Sequence, residues 1–396
     1  MESGLFRRRI ARSRPPLLHF DRPNHQPYVK YGATGRQCSQ VAAQAVALPF
    51  GWPIEYAVML TPLIEQLQTG RDLSFEQSAE AIGRIMSGEE DDRTVAAFLI
   101  ALHQKGECEA EVAGAAAALR SRMTVIRHNR PVVIDTCGTG GDGAKTFNIS
   151  TAAALVTAAA GVPVAKHGNR AATSRSGSAD VLKALGVNIE ADLPTVERCL
   201  AELGICFCFA PLWHPAMKRV ADVRRRISHP TVFNLIGPLT NPAGAPYQLI
   251  GVGKPRLQSL LAGALRLLGT RRSLVVHGSD GLDEVALAGP TAVIEIVSDE
   301  LRSFEWSPEM FGLGRADCAA VQIDTPAESA EMIRSVLAGS RGPARDFVVA
   351  NAAAAIFTAG KAATIREAAL EASEAIDSGK AANILSQLVN LTHSLS

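Results

Sequence analysis

Between Thr61 and Arg122 the apolar positions recur at helical spacing. Phe75, Ala79, Ile82, Ile85 and Met86 fall mainly three or four residues apart, the spacing of one helix face. Ser74-Phe-Glu-Gln77 ahead of that face is a capping-box pattern. Thr61-Pro62 reads as an N-cap followed by proline at the first helical position. Thr94 to Lys105 predicts a third helix with Gly106 as its C-terminal cap, and Ala110 to Arg122 a fourth. Short helices joined by short loops predict a small bundle.

The pattern changes after Arg130-Pro131. Val132 to Asp135 is a short apolar strand running into a glycine-rich loop. Ala152 to Gly161 reads as a helix, Val162 to Lys166 as a strand, and Ala179 to Leu185 as a helix. Further strands are predicted at Gly204–Ala210, Gln248–Val252, Ser273–His277 and Val293–Val297, with terminal helices from Phe347 to Leu391. This alternation argues for an α/β domain with a central, mostly parallel sheet. The chain therefore divides into a small helical domain over 59–125 and a large α/β domain over 131–396. The 212–230 helical segment of the large domain is expected to pack with the small one. Residues 1–58 sustain no period. Arg7, Arg8, Arg9, Arg12 and Arg14 crowd their start, followed by Pro15, Pro16, Pro23 and Pro27. They read as a poorly structured extension: a disordered tail, a transit peptide, or a stretch upstream of a true start at Met59.

Composition narrows the function. The chain has 396 residues, 47% apolar and 20% charged, which is a globular balance. Lys+Arg is 40 against 39 Asp+Glu, a net charge of +1 and no basic excess for nucleic acid. The longest mild apolar run, Ile149 to Ala165, is broken by Gly161 and Pro163, so no membrane span is expected. The seven cysteines are scattered, with no C-x-x-C, which argues for free thiols in a reducing cytoplasm and against a zinc site. Cys206 and Cys208 would face one side of a strand, in the core.

Four segments carry chemistry. Gly138-x-Gly140-x-x-Gly143 follows a strand and precedes a helix opened by Asn148, Ser150 and Thr151. A dinucleotide unit would end its second strand in an acid, but here that strand ends in Lys166 and His167. A Walker loop would need glycine where Ala144 stands. A phosphate cradle of another kind remains, built from backbone N–H groups and a helix N-terminus. Lys166-His-Gly-Asn-Arg170 and Thr173, Ser174 and Ser178 supply cations and hydrogen-bond donors from the next strand end. Asp283-Glu284, just past a strand, offer hard oxygen ligands for Mg²⁺. A basic helix from His214 to Arg226 offers a carboxylate partner, though spacing does not choose among Lys218, Arg219, Arg224, Arg225 and Arg226.

These segments resemble the anthranilate phosphoribosyltransferase family. The matching pieces are GTGGDG-x-KTFNIST, KHGNR, SGSADVL-x-ALG, FAP-x-WHPAMK, FNLIGPLTNP and VHG-x-DGLDE, from about Met59 to the C-terminus. The resemblance implies a helical domain on a large α/β domain, a fold shared with class II nucleoside phosphorylases, usually as a cytoplasmic homodimer. It implies transfer of phosphoribosyl from phosphoribosyl pyrophosphate to the amine of anthranilate, in tryptophan biosynthesis. The donor would be held by Gly138, Gly141, Asp142, Thr146, Asn148, Ile149, Ser150, Thr151, Lys166, His167, Gly168, Asn169, Arg170, Ala171, Ala172, Thr173, Ser174 and Ser178. Ser150, Asp283 and Glu284 would bind two Mg²⁺ ions per subunit. Gly138, Asn169, Arg224 and His214 would contact anthranilate, with His167 nearby and a candidate base. Two places depart from the family. Where it reads VRRELGIRT, this chain has Val-Arg-Arg-Arg-Ile-Ser-His-Pro-Thr231, and a glycine-rich turn before Ala327 is replaced by Ile323-Asp-Thr-Pro326. The rival readings are a nucleoside phosphorylase-like enzyme and a non-catalytic, nucleic-acid-binding relative of the fold.

Overall fold

The computed structural model describes residues 60–171 and 175–394. The extension expected over 1–58 and the donor residues Ala172, Thr173 and Ser174 lie outside the described residues. Four helices open the described chain: α1 Leu60–Gln68, α2 Phe75–Ser87, α3 Asp92–Lys105 and α4 Glu109–Arg120. The capping box forms at α2, with Ser74 Oγ accepting from Gln77 N at 3.1 Å and Gln77 Oε1 from Ser74 N at 2.9 Å. Helix α3 starts earlier than its apolar period suggests. Asp91 is its N-cap and accepts from Arg93 N and Thr94 N at 2.9 and 3.0 Å. Helix α1 begins at Leu60, so Thr61 and Pro62 lie inside its first turn rather than ahead of it.

The connector 121–133 leads to a seven-stranded sheet. Its strands are β1 Ile134–Gly138, β2 Val164–Gly168, β3 Ile205–Phe209, β4 Tyr247–Gly251, β5 Arg272–Gly278, β6 Thr291–Val297 and β7 Glu300–Trp306, in spatial order β3-β2-β1-β4-β5-β6-β7. The first five are parallel, and β6 and β7 turn antiparallel at one edge. Strand β7 escaped the sequence reading because it is an edge strand whose residues are mostly exposed, with Glu300, Arg302 and Glu305 among them. Strands β1 and β2 run further toward their C-terminal ends than predicted, so Gly138 and Gly168 are strand residues beside Lys166 and His167. Cys206 and Cys208 lie in the core, and the six described cysteines are free.

Between the strands come α5 Ile149–Ala159, α6 Ser178–Ala184, α7 Leu193–Arg198, α8 Ala210–Trp213, α9 Met217–Arg226, α10 Val232–Leu235 and α11 Pro255–Leu268. After β7 come α12 Pro308–Phe311, α13 Pro326–Leu337, α14 Pro343–Thr358, α15 Ile365–Asp377 and α16 Lys380–His393. One apolar core joins the bundle, α9, α10 and α11 to one sheet face through Val220, Val223, Leu261, Ile250 and Val275. The other packs α5, α14, α15 and α16 on the opposite face. Helix α9 lies against α2 and α3, so the α/β part of the chain contributes directly to the bundle. No described helix is long and apolar enough to cross a membrane.

Candidate active site

The sheet order reverses between β1 and β4. From β1 the chain proceeds outward through β2 and β3, and from β4 in the other direction through β5. Ligands in open α/β sheets bind beyond the strand carboxyl ends at such a switch point. The described parts of the predicted donor and metal segments lie at this edge. Gly138 pairs in register with Gly251 across the switch. The turn after β5 lays Asp283 directly over both. A Cβ on Gly138 would overlap the Asp283 carboxylate, and one on Gly251 its carbonyl oxygen. Glycine is required at both positions by that close approach. The loop then turns through left-handed conformations at Gly140, Gly141, Gly143 and the non-glycine Lys145, with φ of 68°, 78°, 73° and 59°. Gly140 N donates to Asp283 Oδ2 at 2.7 Å.

Asp283 and Glu284 are brought together with Ser150, as predicted for the metal set. Ser150 N, in the first turn of α5, donates to Glu284 Oε1 at 3.1 Å. Burial, then the nearby Asp142, pushes the Asp283 carboxyl up to about 7. Burial, then Asp283, pushes Glu284 up to about 8. The protein thus gathers hard oxygen donors whose joint negative charge it does not fully offset. A small void beside Glu284 is lined by Thr136, Ser150 and Asn351 together with the apolar Ala153, Leu249 and Val276. This donor set fits Mg²⁺. The buried Lys166 ammonium lies against Thr136 O and 3.3 Å from Ser150 Oγ, and burial lowers its pKa. Elsewhere among the described residues, Asp72, Cys108 and Glu111 converge. Lys105 already neutralises that cluster, 2.6 Å from Asp72 and 2.9 Å from Glu111.

The described residues predicted to hold the donor form a rim around this centre. Ile149 and Thr151 are buried in the first turn of α5 and hold the helix start in place. Asn148 precedes them and is bonded to Ser176 and Ser329. Asp142 Oδ1 accepts from Ala144 N at 3.2 Å, and Thr146 bridges to Gln322. Gly168 passes so close to Ser178 that a Cβ there would overlap its Oγ. Ser178 Oγ in turn donates to Asn169 O at 3.4 Å. Asn169, Arg170 and Ala171 are exposed at the mouth. Asp180 Oδ2 accepts from Ala171 N and Gly177 N at 2.9 and 3.1 Å, which closes that loop on itself. Arg170 pairs loosely with Glu190 at 3.4 Å and lies 5.5 Å from the Phe209 ring centre.

His167 and His214 meet behind the rim, with Nε2 atoms 3.1 Å apart. His167 Nδ1 is 3.1 Å from Gly237 O. A carbonyl only accepts, so Nδ1 carries the proton. Burial lowers His167 to about 3 and His214 to about 4, so both rings are neutral at neutral pH. His214 Nε2–H must then donate to the bare Nε2 of His167. Arg224, in the last turn of α9, is half-buried, and its guanidinium lies 5.4 Å from the Phe233 ring centre. The altered stretch beyond it packs on the bundle. Arg226 lies 3.4 Å from Asp92, and the His229 ring stacks on His103 at 4.2 Å.

The sequence reading missed the supporting residues. Asp135 Oδ1 accepts from His167 N at 3.0 Å from a fully buried position, and burial raises its pKa to about 6. Asn351 of α14 accepts from Val285 N at 2.8 Å and donates to Val285 O at 3.2 Å, which fixes the backbone next to the acid pair. Asn351 left a signal, as a lone polar residue within Phe347-Val-Val-Ala-Asn-Ala-Ala-Ala-Ala-Ile356. Ser329 left none.

Comparison with known proteins gives a consistent result. The model of the "Glycosyl transferase family, a/b domain" matches residues 130–382, and that of the "Glycosyl transferase family, helical bundle domain" matches 61–123. The anthranilate phosphoribosyltransferase of Symbiobacterium thermophilum is 49% identical over 84% of this chain and 98% of its own length. The crystal structure of the Thermus thermophilus enzyme of that name superimposes with a TM-score of 0.79 at 42% identity, covering 84% of this chain and 99% of that one. The Saccharomyces cerevisiae enzyme, solved with phosphoribosyl pyrophosphate and Mg, gives 0.78 at 29% identity, over 85% and 98% of the two chains. The yeast enzyme has also been solved with 4-fluoroanthranilate.

Proposed function

This chain belongs to the anthranilate phosphoribosyltransferase family, and on that premise we propose how its own residues divide the work. It is a pentosyltransferase. It transfers the phosphoribosyl group of phosphoribosyl pyrophosphate to the amine of anthranilate, giving N-(5-phosphoribosyl)anthranilate and pyrophosphate, a step of tryptophan biosynthesis. One observation carries the assignment of roles. The glycine loop, the start of α5 and the Asp283–Glu284 pair converge at the single switch point of the sheet.

The reaction breaks the bond from the anomeric carbon to pyrophosphate and forms one to the amine nitrogen. Charge control dominates such a displacement, with positive charge on the ribosyl ring and negative charge on the leaving group. Gly138, Gly141, Asp142, Thr146, Asn148, Ile149, Ser150 and Thr151 line the donor side, with Lys166 to Ser174 and Ser178 opposite. Lys166 is the fixed cation near the leaving group. Ser150, Asp283 and Glu284 would hold Mg²⁺, two ions per subunit as the family resemblance implies. Bound there, the metal would neutralise pyrophosphate oxygens as they depart. Asn169 and Arg224 orient anthranilate beside Gly138, with His214 at the back of that subsite, so proximity replaces any need for a strong nucleophile. His167, neutral and with its Nδ1 proton committed to Gly237, is available only as part of the pair with His214.

The same premise supports a small domain over 59–125, a large one over 131–396, a homodimer, and a cytoplasmic location that suits the free thiols. The test is the loss of anthranilate fluorescence with phosphoribosyl pyrophosphate and Mg²⁺. Decay requiring all three components, and falling by at least about a hundredfold in Asp283→Asn/Glu284→Gln, is expected. Undiminished decay in that variant would remove the acid pair from the metal site.

A further inference from the structure

The segment 321–329 walls the donor rim, and within it Ile323-Asp-Thr-Pro326 departs from the family pattern. It lacks the expected glycines. In their place Thr325 Oγ1 caps α13 by accepting from Glu328 N at 3.1 Å, and Pro326 takes the first turn, so the helix start is stiff. From this support the segment grips the donor loop. Phe147 N donates to Val321 O at 3.0 Å, and Ile323 N to Lys145 O at 2.9 Å. Gln322 Nε2 donates to Ala144 O at 2.9 Å, and Asp324 pairs with Arg175 at 2.9 Å.

The grip ends on Asn148. Ser329, fully buried, accepts from Asn148 N at 3.0 Å and donates through Oγ to Asn148 Oδ1 at 2.8 Å. Ser176 Oγ donates to the same Oδ1 at 2.7 Å, and Asn148 Nδ2 donates to Ser176 O at 3.0 Å. The Ser176 carbonyl can only accept, so Nδ2 must face it and Oδ1 must face the two hydroxyls. Both lone pairs of Oδ1 and one Nδ2 hydrogen are then committed. One Nδ2 hydrogen remains, in a fixed direction, for an acceptor oxygen.

We propose that Ser329, with Ser176, is a positioning residue for the phosphoribosyl donor: the two hydroxyls lock the Asn148 amide so that its last N–H is aimed at a donor oxygen. This rests on the reading of Asn148 as a donor contact. Three chain segments, around 148, 176 and 329, must be in register before that hydrogen bond can form. The Thr-Pro start of α13 takes over the rigidity that binding would otherwise have to impose.

The test compares the full-length wild type with Ser329→Ala, Ser329→Thr and Ser176→Ala in the fluorescence assay, with thermal melts of each. A merely structural role lowers the melting temperature and the active fraction, hence kcat. Positioning raises KM for phosphoribosyl pyrophosphate selectively. The expected result is a KM for the donor about tenfold higher in Ser329→Ala and about fivefold higher in Ser176→Ala. KM for anthranilate and kcat stay within about twofold, and the hydroxyl of Ser329→Thr restores most of the loss. An unchanged donor KM in a Ser329→Ala protein that melts like wild type would overturn the proposal. So would equal losses for both substrates. Should Ser329→Ala fail to fold, Ser176→Ala decides alone, because it lies on a loop outside the cores. Absence of turnover in the wild type itself would instead sink the enzymatic reading, and the proposal with it.

Discussion

At the scale of single residues, the His167–His214 pair shows how burial sets chemistry. The two rings share one hydrogen bond between Nε2 atoms and are buried. Neither can take a second proton without placing a charge in a poorly solvated site. Burial holds His214 at about 4, below the ordinary histidine value of about 6.5. The unfolded chain therefore binds a proton at pH 5 to 6 that the folded chain refuses. A group with a depressed folded pKa contributes stability above its unfolded pKa and loses it as pH falls toward the folded value. His214→Gln, which keeps a donor near the Nε2 position, removes this penalty. The stability of wild type relative to the variant should fall by about 1.4 kcal/mol per pH unit below pH 6.5. Urea melts of both proteins at pH 7, 6 and 5 check the slope. Parallel curves would mean that His214 is protonated in the folded protein. Comparing wild type with the variant is needed because Asp135, Asp283 and Glu284, all raised, tilt the total curve the opposite way.

At the scale of elements, α14 does more than cover the sheet. Its apolar faces fill the core, and Asn351 alone reaches across to tie down Val285 N and O. A buried amide with three hydrogen bonds leaves buried polar groups unpaired when it is removed. Asn351→Leu is therefore expected to cost about 2–4 kcal/mol in unfolding free energy. It should also raise the Mg²⁺ concentration for half-maximal rate, because the Asp283–Glu284 turn loosens. A destabilised variant with an unchanged Mg²⁺ requirement would confine Asn351 to the core. The example marks where the sequence stopped being readable. Capping boxes, strand–glycine–helix turns and the Asp-Glu pair are local patterns, and Ser74, Gly138 and Asp283 could be picked out from a few neighbours. The supports are not local. Asn148 meets Ser329 across 181 residues and Val285 meets Asn351 across 66, and a lone serine in a helix carries no mark of its partner. The arginine helix fell between these cases. Its basic face was legible, but the burial of Arg224 against Phe233 needed the fold.

At the scale of the whole molecule, the question is how a helical bundle reaches chemistry at a sheet edge. It does so through Arg120, at the end of α4. Its Nε donates to Leu239 O at 2.7 Å, and burial pulls its pKa down to about 10. The connector beyond it is pinned as well, with Thr124 N on Trp213 O at 2.8 Å and Ile126 N on Pro242 O at 3.0 Å. Two of these anchor points flank the proposed acceptor side. Trp213 precedes His214, and Leu239 lies two residues beyond Gly237, whose carbonyl fixes the His167 ring. The turn 237–240 is therefore one place where the bundle meets the histidine pair, beside Trp213 and the packing of α9, while the loops around Asn148 and Ser176 hang on α5 and α13 instead. Arg120→Met keeps the length and much of the volume of the side chain but removes the donor, leaving the Leu239 carbonyl unpaired at a cost of about 1–3 kcal/mol. If the coupling runs as the contacts indicate, KM for anthranilate rises several-fold while KM for phosphoribosyl pyrophosphate stays constant, the mirror image of the expectation for Ser329→Ala. Steady-state kinetics with each substrate varied in turn separate the two. Equal effects on both constants would mean that Arg120 supports the molecule as a whole rather than its acceptor side.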